Sequence, residues 1–240
     1  MILRLCILSI LVEAVFFSCS SRSGENYRNK VSRRNAQNET YKTDDTQNTK
    51  SEREIINGRN KEQPLTKKYE KLRKGVFLIS AIRKNKNIQG SGFFINSNTG
   101  VSNAHVFENS KDLKIKTWDG KVFQVKQIKK SSSSEEYDYV IFNTAPTNGN
   151  YPNLKLSNKQ PVVGESVFAI GNPRGLEQTL STGIISALRN NKTLIQTTTE
   201  ITFGSSGGPL FNSAGEVIGI TTSGMGEANL NFAVSVDVIK

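Results

Sequence analysis

Three side chains in this 240-residue sequence have types and settings suited to moving a hydroxyl proton. Ser206 lies in Gly204-Ser205-Ser206-Gly207-Gly208-Pro209-Leu210. A serine between glycines can sit on a tight turn with its hydroxyl uncrowded. The glycines also let backbone N–H groups converge on one point, as stabilisation of an oxyanion requires. Alone, such a stretch is often just a turn. His105, in Ser102-Asn103-Ala104-His105-Val106, is the sole histidine. Neutral imidazole is well suited to accept a hydroxyl proton near neutral pH. Read alone, a histidine that ends a strand is equally a core residue. Asp138 opens Asp138-Tyr139-Val140-Ile141-Phe142. An acid leading an apolar strand can be half-buried and can fix an imidazole tautomer. By itself it is an ordinary strand-leading residue.

The elements that must position these residues read as β-strands. Val76–Ile82 is a short apolar run. Gly92–Ile95 and Val101–Asn103 flank the turn-rich Asn96–Gly100 and predict a hairpin. Leu113, Ile115 and Thr117 alternate with lysines; Asp119-Gly120 and Val122–Val125 follow, a second hairpin signal. Further strands are predicted at Tyr139–Phe142, Val167–Ile170, Thr179–Ala187, Leu194–Thr198, Pro209–Phe211, Val217–Thr222 and Asn231–Val236. The polar stretch Thr144–Gln160 reads as a connection between two halves. Many short strands with Gly-rich turns predict an all-β sandwich or barrels. No amphipathic run longer than about ten residues follows Lys74, which argues against α/β folds.

Composition separates this segment from what precedes it. The net charge is +11, of which +7 falls in residues 20–74 and +4 in residues 75–240. Hydrophobic residues make up 35% of the chain, below the usual globular level of about 45–50%. Residues 20–74 are polar and basic, with interspersed signs and few aromatics. They are expected to be a disordered linker with no nucleic-acid partner. Leu65–Lys74 could close it as a short basic helix with Tyr69 and Leu72 on one face. Residues 1–19 hold one early Arg, an apolar core and a small-residue end, the layout of an export signal peptide. The ending Phe16-Phe17-Ser18-Cys19 resembles a bacterial lipoprotein box, which makes Cys19 the candidate lipid attachment site. The two cysteines, Cys6 and Cys19, both lie there, so neither a disulfide scaffold nor a Cys/His zinc site is expected.

The order His105, Asp138, Ser206, with spacings of 33 and 68 residues, is the chymotrypsin-like one. Six stretches carry a wider likeness: Ser102–Val106, Asp138–Phe142, Ile170–Gly175, Thr182–Ser186, Gly204–Leu210 and Gly215–Ile220. From about Gly75 to Val236 the chain resembles the protease domain of HtrA/DegP-type trypsin-like serine proteases. That resemblance implies two packed six-stranded antiparallel β-barrels (about 75–145 and 160–240) with the site between them. It implies Ser206 as nucleophile, His105 as general base then acid, and Asp138 as the group orienting the imidazole. It implies the backbone N–H groups of Gly204 and Ser206 as the oxyanion hole, with no metal and no cofactor. Polypeptide substrates would pair with the strand around Thr222 and Ser223. Ile201, Gly224 and Met225 would line a primary pocket for small or medium aliphatic side chains. Glu200, six residues before Ser206, leaves cleavage after Lys or Arg open.

Two features depart from the family. Ser205 stands where bacterial members usually carry Asn. The sequence stops at Lys240, where the family continues into a helix, so no PDZ domain is expected and PDZ-dependent peptide sensing is not carried over. The resulting expectation is an exported serine endopeptidase of the cell envelope, either periplasmic or tethered to the membrane as a lipoprotein, with secretion as the alternative since Ser18-Cys19-Ser20 also fits ordinary cleavage. Whether it forms a homo-oligomer stays open. The rival reading is a silent or latent pseudoprotease that binds extended peptides.

Overall fold

The computed structural model describes residues 63–147, 149–173, 176–225 and 230–240, with side chains for all of these but 223–225. The expected signal peptide, the lipid site Cys19 and nearly all of the linker lie outside them.

The described chain begins with helix α1 (Leu65–Leu72) and a 3-10 turn (Arg73–Gly75). Leu65, Tyr69 and Leu72 recur at helical spacing, and all three pack on the main hydrophobic cluster. Twelve strands follow in two closed antiparallel barrels. The first holds β1 (Val76–Arg83), β2 (Lys86–Asn96), β3 (Thr99–Ser102), β4 (Lys111–Lys116), β5 (Val122–Ser132) and β6 (Tyr139–Thr144), paired around the ring as β1-β2-β3-β6-β5-β4. The second holds β7 (Ser166–Gly171), β8 (Thr179–Arg189), β9 (Leu194–Thr197), β10 (Pro209–Asn212), β11 (Val217–Met225) and β12 (Leu230–Ser235), paired as β10-β11-β12-β9-β8-β7. The all-β, two-barrel expectation is met.

The apolar runs follow from burial on both faces. On β1, Phe77 and Ile79 point into the first barrel, while Val76 joins the cluster between the barrels. On β2, Phe94 points in and Phe93 out toward the second barrel. β7 repeats the pattern, with Val167 and Ala169 inside the second barrel and Phe168 and Ile170 on the shared face. Strands buried on both sides read as continuous hydrophobic runs rather than alternations. Each large apolar side chain buried this way contributes about 1.5–3 kcal/mol.

The structure departs from the sequence expectation at several element boundaries. His105 does not end a strand: β3 stops at Ser102, and His105 lies on a one-turn helix, α2 (Ala104–Phe107). Strand β2 starts at Lys86, six residues before the predicted Gly92, because its first residues are polar and mostly exposed.

Candidate active site

The site lies in a cleft of about 1650 Å³ whose walls include His105, Asp138, Ser206, Gly204, Thr222, Ile201 and Glu200. His105 is delivered by α2, which follows directly on β3. Arg83 at the end of β1 donates to the His105 and Val106 carbonyls and to Ser110 Oγ, closing the C-terminal end of that short helix. Asp138 comes from the residue just before β6. Its φ of +47° is an unusual value for a non-glycine residue. Three contacts hold it there: its N–H donates to the Ser133 carbonyl at 2.9 Å, its carbonyl accepts Asn103 Nδ2 at 2.7 Å, and its carboxylate is fully engaged. Asn103 Oδ1 is left as a buried oxygen without a partner among the described residues.

Asp138 is 8% exposed, and its carboxylate takes three hydrogen bonds. Oδ1 accepts the His105 backbone N–H at 3.0 Å, and Oδ2 lies 2.8 Å from His105 Nδ1. Oδ2 also accepts Thr222 Oγ1 at 2.6 Å. A carboxylate only accepts, so this pairing puts the imidazole proton on Nδ1 and leaves Nε2 as the free base. Sequence reading singled out Thr222 for its backbone alone. Its side-chain bond to Asp138 spans 84 residues and has no local signal.

Ser206 sits on the turn between Ile201 and β10. Its Oγ donates to the Thr222 carbonyl at 2.6 Å, and no bond to the imidazole forms among the described residues. Thr222 thus links Ser206, through its carbonyl, to Asp138, through its hydroxyl. The turn is fixed on nearly every side. Ser205 N–H donates to Thr202 O, Gly207 N–H to Thr221 O and Gly208 N–H to Ser205 O. Gly204 at φ +94° and Gly207 at φ +91° supply the left-handed bends. Among the described residues, the N–H groups of Gly204 and Ser206 have no acceptor in the protein. Ile201 is buried, and Glu200 is exposed with its carbonyl bonded by Ser181 Oγ at 2.9 Å. Gly224 and Met225 lie on β11, but the side chains of Ser223 and Met225 are outside those described.

Two closed six-stranded barrels, with a histidine–aspartate pair and a glycine-flanked serine in one cleft, have the architecture of chymotrypsin-like serine peptidases. Comparison with known proteins gives the nearer kinship. Residues 90–220 match the family model of the trypsin-like peptidase domain. The chain is 34% identical over 165 residues to periplasmic serine endoprotease DegP of Escherichia coli, covering 63% of this chain and 34% of that protein. It is 32% identical over 182 residues to serine endoprotease DegS of Haemophilus influenzae, covering 68% of this chain and 52% of that protein. Among solved structures, it aligns with a serine endoprotease from Yersinia pestis at a TM-score of 0.65 and 26% identity, covering 74% of this chain and 64% of the other. The HtrA-type protease AlgW, solved with a tripeptide, also aligns at a TM-score of 0.65 and 26% identity, covering 73% and 61%. The chain belongs to the trypsin-like peptidase family and within it is of the HtrA/DegP type. It spans only 34% of the length of the first curated relatives it matches.

Proposed function

We propose that this chain is a serine endopeptidase that hydrolyses peptide bonds of protein substrates with Ser206, His105 and Asp138. One observation carries the reading: the His105–Asp138 pair at 2.8 Å shares a cleft with a serine turn that has two unpaired backbone amides. Turning about the Ser206 Cα–Cβ bond moves Oγ from the Thr222 carbonyl toward His105 Nε2. The imidazole takes the proton as Oγ attacks the scissile carbonyl. The negative charge then developing on the carbonyl oxygen is met by the N–H groups of Gly204 and Ser206. His105 returns its proton to the leaving amine, and a water molecule repeats the sequence to release the acyl group. The Thr222 carbonyl, freed of Ser206, is left to accept an N–H from an extended substrate strand, a form of β-augmentation. Ile201 favours a small or medium aliphatic side chain before the scissile bond. Export by residues 1–19, anchoring through Cys19 and action on envelope proteins complete the proposal.

The Ser206–Thr222 bond favours a second reading, a latent form in which the nucleophile is parked until a ligand draws it away. A fluorophosphonate probe separates the alternatives. The protein is expected to label, and Ser206→Ala to lose both labelling and peptide hydrolysis while keeping its fold. Hydrolysis by Ser206→Ala would overturn the assignment. Labelling that appears only with peptide present would establish latency.

A further inference from the structure

Ser91 lies on β2 of the first barrel, is fully buried, and belongs to neither the histidine nor the serine motif. Its Oγ donates to the Gly204 carbonyl at 2.7 Å, and its backbone N–H donates to the Ser206 carbonyl at 2.8 Å. One residue of the first barrel therefore grips two carbonyls of the serine turn in the second. Between them, the Ser205 carbonyl is taken by Thr221 Oγ1 at 2.7 Å and by Gly208 N–H. Peptide units are planar and trans, so the carbonyl held on one side aims its N–H to the other. With the carbonyls of 204, 205 and 206 all bound within the protein, the Ser206 N–H is directed away from the Thr221 hydroxyl. The peptide planes around it cannot rotate without breaking a buried bond.

The Ser91 hydroxyl has a single proton, and its direction is set by Asn172. Asn172 is 1% exposed. It donates twice to Ser91 Oγ, from its backbone N at 2.9 Å and from Nδ2 at 3.1 Å. Both acceptor positions of the hydroxyl are thus filled, and its proton is left for Gly204. Asn172 is fixed in turn: its Nδ2 also donates to the Phe77 carbonyl at 3.0 Å, and its Oδ1 accepts Gln178 N–H at 3.0 Å.

We propose that Ser91, with its hydroxyl oriented by Asn172, is a positioning residue that fixes the peptide planes on either side of the 205–206 plane and so holds the Ser206 amide in the geometry of an oxyanion site. This rests on the proposed catalytic reading of that amide. Ser91 touches no substrate; it acts through the turn, so its loss weakens the transition state and spares ground-state binding.

The test compares wild type with Ser91→Ala, and with Asn172→Ala, which leaves the Ser91 hydroxyl in place but removes one of the two donors that direct it, the backbone N–H of residue 172 remaining. Active sites are counted with a fluorophosphonate, and turnover is expressed per titrated site. Outright loss of one oxyanion donor costs about 10²–10³ in kcat. Displacement of the Ser206 donor is expected to lower kcat at least tenfold in either variant, with KM changed by less than about twofold. Affinity for a peptide boronate should fall by a similar factor to kcat. The backbone ¹H–¹⁵N signals of Gly204 and Ser206 should shift in both variants. A purely structural role would reduce the number of titrated sites and leave turnover per site unchanged, and that result overturns the proposal. Unshifted Gly204 and Ser206 signals overturn it as well, whether or not the protein turns over. An unlabelled, inactive wild type whose variants still shift those signals would instead count against the endopeptidase reading.

Discussion

Replacing Asp138 with Asn tests the proposed roles of the site with the size and shape of the side chain preserved. Oδ1 faces the backbone N–H of His105 at 3.0 Å, and Oδ2 faces His105 Nδ1 and Thr222 Oγ1 at 2.8 and 2.6 Å. The new amide group must place its NH2 at one of these positions. At Oδ1 it would oppose a backbone N–H that cannot give up its proton. At Oδ2 it opposes a hydroxyl that can rotate and an imidazole that can change tautomer. The second arrangement is the cheaper one, so Nδ1 becomes the acceptor and Nε2 carries the proton. His105 then cannot take the proton of Ser206. Recovering the reactive tautomer forces the amide to flip against the His105 N–H, leaving two buried donors facing each other at about 1–3 kcal/mol each. Lost charge-assisted stabilisation of the imidazolium adds about 1.5–3 kcal/mol. The total of about 3.5–9 kcal/mol corresponds to a fall in kcat of between about 400-fold and a few million-fold. The assay is steady-state hydrolysis of a peptide substrate, with thermal unfolding followed in parallel. KM and the unfolding midpoint should change little beside kcat. A folded Asp138→Asn protein with kcat within tenfold of wild type would refute this reasoning.

Gly207→Ala should cost about 3 kcal/mol or more, because φ there is +91° and an added Cβ would lie 2.2 Å from both Ser102 Oγ and the Ser91 carbonyl. Urea denaturation with an unshifted midpoint would contradict it. Stability should also fall in acid. Lys155 holds the Glu216 carboxyl below its ordinary 4.5, and Lys240 holds Asp237 below 3.8. Burial pushes Asp119 up, but hydrogen bonds from Thr117, Lys121 and Tyr151 outweigh it and leave Asp119 below 3.8 as well. Native carboxyls with lowered values bind protons less readily than the unfolded chain does. Their contribution is complete above those ordinary values and is lost as pH falls through the lowered native ones. An unfolding midpoint that stays constant from pH 6 to pH 3 would contradict this.

The sequence by itself carried the types and order of His105, Asp138 and Ser206, and the glycines that bend the serine turn. These signals are local: a glycine at positive φ, an acid before an apolar strand, an Asp-Gly hairpin. The strand runs were also legible, because strands buried on both faces, such as β1 and β7, must be apolar throughout. Legibility failed where structure is set by partners far along the chain. β5 extends to Ser132, well beyond the predicted Val125, along residues that are mostly exposed and polar and so carry no burial pattern. The one-turn helix under His105 is held by Arg83 from another element. Thr222 reaches Asp138 across 84 residues, and Ser91 reaches Gly204 across 113. Sequence chemistry decided which groups could react, since that depends on side-chain type and local backbone freedom. Only the packing of the two barrels decided where those groups point. Hydrogen-bond direction depends on a partner in space, and closing two barrels on one another brings together residues that no local pattern connects.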